Sequence, residues 1–173
     1  MWRPHSVSEA MGAIAGVAML GGCMTLIPGV SPHNIQRDAA AQERARCGPE
    51  PVDPRLYSVG IVENVAPLYE HVMGGPNGTE SRTGGAEVTV RPLPGVTAEL
   101  LERGLMCRSA QLMLGHAAPA PNEPYYLLDG WVRIDVRPGS GNFIVRLSAE
   151  DAEHGREILA KARAFAGVTA LKQ

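Results

Sequence analysis

Apolar and polar residues alternate strictly in three stretches of the chain, and each predicts a half-buried strand. Ala86, Val88 and Val90 alternate with Glu87, Thr89 and Arg91. Val132, Ile134 and Val136 alternate with Trp131, Arg133, Asp135 and Arg137, and Phe143, Val145 and Leu147 alternate with Ile144, Arg146 and Ser148. Between the last two lies Pro138-Gly139-Ser140-Gly141-Asn142, so they form an antiparallel hairpin with a Gly-rich turn and outward arginines.

Helical spacing marks four other stretches. Thr97 caps a helix running to about Leu114, with Glu99 at its positive end and an inner side of Leu100, Leu101, Gly104, Cys107, Leu112 and Leu114. Ser148, three residues before Asp151, reads as a capping box for a helix that buries Ala152, Leu159, Ala162 and Phe165 and closes at Gly167. Asn34 caps a helix to Cys47 whose apolar face is little more than Ile35, Ala39 and Ala45. From Arg55 to Met73, Leu56, Val59, Val62, Val65, Leu68, Tyr69 and Val72 fall near helical spacing, which predicts a helix kinked at Pro67. Gly74 to Gly85, GGPNGTESRTGG, reads as a flexible loop, and Val168 to Leu171 as a short final strand.

The order from Ala86 is strand, helix, strand, strand, helix. That predicts an α+β fold: a small, mainly antiparallel sheet with helices packed on one face, preceded by N-terminal helices. Residues 34–173 form a single α+β domain, with 34–73 helical, 74–85 the loop and 86–173 a βαββα core.

Composition changes the picture at the N-terminus. After Arg3 and His5, every side chain from Ala10 to Gly22 is small or apolar, a secretory h-region in length and character. It ends in Leu20-Gly21-Gly22-Cys23, which resembles the lipobox of bacterial lipoproteins. The resemblance implies that Leu20, Gly21 and Gly22 are read by the signal peptidase and that residues 1–22 are removed. Cys23 then carries the lipid, palmitate among its acyl chains. Several chains at about 0.8 kcal/mol per buried CH₂ hold a protein to a membrane where one would not. Met24 after the cysteine implies the default route to the outer membrane, on its periplasmic side. Residues 23–33, with Pro28, Gly29 and Pro32, form a tether. The uncharged run Ala10 to Val30 also fits an uncleaved membrane span or an ordinary cleaved signal.

Export places Cys47 and Cys107 in an oxidising compartment, where pairing is the default, and the 34–47 helix has little else to fasten it. The rival use of Cys107 is metal: with His116 and Met113 it offers the soft and imidazole ligands that suit copper. No His-x-x-His or Cys-x-x-Cys spacing supports that use, and Met at helical spacing fills cores.

Sixteen Lys and Arg against eighteen Asp and Glu give a net charge of -2, so no basic field exists to hold nucleic acid. The glycine-rich loop lacks the Gly-Lys-Ser/Thr ending of a phosphate-binding loop, and no cofactor is expected. No Gly-x-Ser-x-Gly or comparable nucleophile motif occurs, which makes an enzyme the weaker reading; an unrecognised hydrolase stays possible because triads are spatial. Trp131, Arg133, Arg137 and Arg146 line up on the outward face of the hairpin and suit an anionic lipid or an acidic partner.

The last third of the chain also resembles the BON family of bacterial envelope modules in its order of helix, two strands and second helix. The residues that carry this are the hairpin Val132 to Leu147, the alanine-rich helix Ala160 to Ala166, and Gly167-Val168. The turn PGSGN is longer than that family's, and Ser148 replaces its usual glycine. Both resemblances imply a lipid-anchored cell-envelope protein with a small binding or structural domain. A periplasmic metal-binding protein is the alternative.

Overall fold

The computed structural model describes residues 32–73 and 78–167. The lipobox residues Leu20 to Cys23 and the strand expected at Val168 to Leu171 lie outside the described residues. Three helices, α1 (Pro32–Arg46), α2 (Ala98–Met113) and α3 (Ala152–Phe165), accompany four strands, β1 (Val62–Met73), β2 (Thr79–Val90), β3 (Arg133–Pro138) and β4 (Phe143–Ser148). The strands pair antiparallel in the order β1-β2-β4-β3. The fold is α+β, with the helices on one face of the sheet.

Alternation decides which face that is. Val65, Ala86, Val88, Val90, Ile134, Val136, Val145 and Leu147 turn inward against Leu101 and Leu105 of α2 and Ile158 and Ala162 of α3. Thr97 caps α2 as expected, its Oγ1 accepting from the Leu100 N–H. The buried side of α2 is broader than its predicted stripe. Leu105, Arg108, Ser109 and Ala110 are buried too, whereas Leu100 and Leu114 are half-exposed. Leu105 joins the core under the sheet and Arg108 meets the link that follows α2, while α1 covers a further flank, with Ala39 fully buried and Gln42 Nε2 donating to Met106 O at 2.8 Å.

Residues 34–73 are not all helical. After two 3₁₀ turns, Pro54–Tyr57 and Val59–Ile61, the chain runs extended through β1. The spacing misleads because β1 carries apolar residues on both faces, Val65 inward and Leu68 outward, three apart as on a helix, and bulges near Asn64 and Tyr69 interrupt the alternation on either side. Pro67, which would break a helix interior, is tolerated on an edge strand.

Nor is 74–85 all loop, since Thr79 to Gly85 pairs with β1. Its glycines mark close approaches. A Cβ at Gly84 would lie 2.4 Å from Glu70 Cδ, and one at Gly85 would lie 1.9 Å from the Leu147 carbonyl oxygen. Gly155 of α3 seats on the same place, where a Cβ would come within 2.5 Å of the Thr83 carbonyl oxygen.

Two boundaries also move. Ser148 ends β4 rather than capping α3; Asp151 is the cap, its Oδ1 accepting from the N–H groups of Glu153 and His154. The first helix begins on Pro32, ahead of Asn34, where a missing N–H costs nothing, and the tether therefore stops short of residue 33.

The link from α2 to β3 looks like plain connection in the sequence but is anchored from inside. Arg108 Nε and Nη2 donate to Glu123 Oε1 and Oε2 at 2.8 and 2.9 Å, and Nη2 also donates to Ala118 O. The Ala120 N–H donates to Glu123 Oε2, and the guanidinium lies 4.6 Å from the centre of the Tyr57 ring. Tyr125 and Leu127 then enter the core.

Candidate anion-binding site

The side of the sheet away from the helices takes its character from alternation: positions 133, 135 and 137 of β3 and 144, 146 and 148 of β4 all point to it. Register sets their neighbours. Asp135 pairs with Arg146, Arg133 with Ser148 and Arg137 with Ile144. Arg146 therefore sits opposite Asp135 and diagonal to both Arg133 and Arg137, at the roughly 7–8 Å separation that long side chains bridge. One row crosses all four strands as Leu68, Gly85, Ser148 and Arg133. Gly85 adds no side chain to it. The result is a hollow of about 260 Å³ lined by Leu68, Glu70, Arg133, Asp135, Arg137, Arg146 and Ser148.

The structure thus gathers Arg133, Arg137 and Arg146 around one hollow, while Trp131 stands half-buried just ahead of β3 and is not in the lining. Charge is unevenly met within it. Arg137 Nε donates to Asp135 Oδ1 at 2.8 Å, and Glu70 is held by Arg82 Nη2 at 3.3 Å. Arg146 Nε is 3.9 Å from Glu87 Oε2, beyond hydrogen-bond reach, and is buried without an acceptor. Arg133 has no ion-pair partner among the described residues. The hollow consequently holds guanidinium donors that still lack acceptors.

The other sequence candidates separate. Cys47 and Cys107 are joined as a disulfide with Cα atoms 5.0 Å apart, which takes Cys107 from any metal. His116 turns Nδ1 to Glu43 Oε1 at 2.9 Å, and Met113 lines a different hollow with Ile35 and Tyr126. The three metal candidates therefore do not converge, and among the described residues no three His, Cys, Asp or Glu side chains form a metal-holding group. A larger hollow, about 440 Å³, lies between the segment after α1 and α2 over the disulfide; it is floored by Val52, Leu56 and Leu100, and Arg55 on its rim is already bound to Asp53.

One cluster escapes sequence reasoning. His154 Nδ1 lies 2.5 Å from Asp151 Oδ2, and its Nε2 lies 3.2 Å from Asp129 Oδ1. Asp151 is visible at i,i+3, but only folding brings in Asp129, through Gly130, which packs on the imidazole. The Asp151 carboxylate holds the ring above its ordinary pKa of 6.5, and Asp129 reinforces it against the effect of burial. A raised folded pKa stabilises fully below the unfolded value and the contribution disappears as pH rises through the folded one. The melting-temperature gap between the unmodified protein and His154→Asn is therefore expected to be widest below pH 6.5 and to shrink toward alkaline pH. Parallel curves across that range would rule out the clasp.

Compared with family models, curated proteins and solved structures, the chain has no match.

Proposed function

We propose that this is a lipid-anchored protein of the bacterial cell envelope, held through Cys23 on the periplasmic side of the outer membrane, whose α+β domain binds an anionic envelope component. The observation that carries the binding role is the gathering of Arg133, Arg137 and Arg146 around one hollow on the sheet face away from the helices. Guanidinium forks suit oxyanions, and donors without acceptors favour a ligand that supplies them. The lipobox supports the anchor. The partner is a membrane surface or an envelope protein, and nucleic acid is disfavoured by the net charge of -2.

The intact mass of the membrane-extracted protein, with and without reduction before alkylation, tests the anchor. A chain starting at Cys23 with added acyl mass is expected, with Cys47 and Cys107 alkylated only after reduction. An unacylated full-length chain with free thiols would overturn it.

A further inference from the structure

We infer that the arginine hollow takes a singly protonated phosphate group, as a phosphate monoester or inorganic phosphate, in preference to a carboxylate or sulfate. The inference rests on the anion-binding role proposed above for the same site.

Donor geometry is the first argument. Arg133 and Arg137 flank Asp135 on β3, and Arg146 pairs with Asp135 from β4, so three arginines border one hollow. A carboxylate has two oxygens in one plane. A phosphate presents oxygens in a tetrahedron, enough to accept from all three arginines that border the hollow.

The acids in the lining are the second. Asp135 and Glu70 border the hollow, and Arg137 engages Oδ1 of Asp135. A fully ionised dianion is repelled by both carboxylates. A monoprotonated phosphate carries less charge, and its P–OH donates a hydrogen bond to a carboxylate while its other oxygens accept from arginine. Sulfate and ionised carboxylates have no such proton.

The third is size. About 260 Å³ of space on an open sheet face admits a headgroup but does not enclose a large ligand. A phosphate monoester on a lipid and a soluble phosphate share this chemistry.

Trp131, two residues before Arg133 and half-buried, is a built-in reporter: in a chain starting at Cys23 it is the single tryptophan, and Trp131→Phe confirms that the signal is its own. The membrane-extracted protein in non-ionic detergent is titrated at constant ionic strength with inorganic phosphate, glycerol phosphate, sulfate and polyglutamate. The pH is held at about 6, near the second ionisation of a phosphate monoester. Both phosphates are expected to saturate and sulfate is not. Arg133→Gln and Arg146→Gln should each weaken phosphate by about tenfold, the scale of one lost charge-assisted contact, while Arg156→Gln on α3 leaves it unchanged. Asp135→Asn should admit sulfate, a gain that loss of folding cannot imitate.

A short-chain phosphatidic acid below its micelle concentration separates the sources. Tighter binding than glycerol phosphate assigns a lipid headgroup, and equal or weaker binding assigns a soluble phosphate. Sulfate binding as tightly as phosphate, or polyglutamate saturating where phosphate does not, overturns the inference and leaves the anion-binding role standing. Silence with every probe overturns both. An unacylated chain that still binds phosphate separates loss of the anchor from loss of the site.

Discussion

Glu123→Ala is expected to destabilise the domain by about 3–5 kcal/mol, the cost of leaving a buried charge without its partner. The Glu123 side chain is 1% exposed and that of Arg108 is 10% exposed. Removing the carboxylate orphans the Arg108 Nε donor and the Ala120 N–H together. The link that carries Tyr125 and Leu127 into the core loses its fixed point with them. Arg108→Met combined with Glu123→Leu should cost much less than the two single substitutions summed, because both charges leave together. Ala118 O and Ala120 N still lose their partners in that double variant, so recovery is expected to be partial. Urea denaturation of the four proteins measures the coupling. Additive costs would mean that the pair does not act as a unit.

Reduction of Cys47–Cys107, or the double replacement Cys47→Ala with Cys107→Ala, is expected to lower stability by about 4 kcal/mol, from the loop-closure entropy of a crosslink spanning roughly sixty residues. The two cysteines are separated by 60 positions in sequence, and the bridge ties the end of α1 to the middle of α2. With few apolar residues of its own, α1 should be the first element to loosen. Amide exchange comparing α1 with the β3–β4 hairpin checks this, alongside denaturant midpoints with and without reductant. An unchanged midpoint, or exchange that rises equally everywhere, would show that the bridge contributes nothing specific to α1.

These two sites differ in how much the linear chain discloses. Cys47 and Cys107 are visible as the pair left over once Cys23 is assigned to the lipid, and the weak face of α1 explains why a crosslink is useful there. Arg108 and Glu123 carry no such signal. A charged residue inside a helical stripe and an acid in an Ala/Pro-rich connection both look solvated until folding stacks one on the other. His154 lies between these cases, since its i,i+3 partner Asp151 can be read from spacing and Asp129 cannot.

The same division runs through the fold. The β3–β4 hairpin, the Thr97-capped helix and the helix after Asp151 are legible because each repeats a single local period: two for a strand and 3.6 for a helix. Strand β1 is not, because it carries apolar residues on both faces, so that Val65 and Leu68 imitate helical spacing, and bulges near Asn64 and Tyr69 interrupt its period of two. The glycines of β2 read as loop in sequence, whereas packing uses them to let Glu70, Leu147 and α3 approach the backbone.

Sequence alone thus determined the α+β class and the outward row of arginines, since these depend on local periodicity. Tertiary structure alone decided that Arg133, Arg137 and Arg146 surround one hollow, that Leu68 and Glu70 complete it from the far edge of the sheet, and that Trp131 stands outside its lining. The physical reason is register. Which side chains become neighbours across strands depends on pairings between residues far apart in the chain.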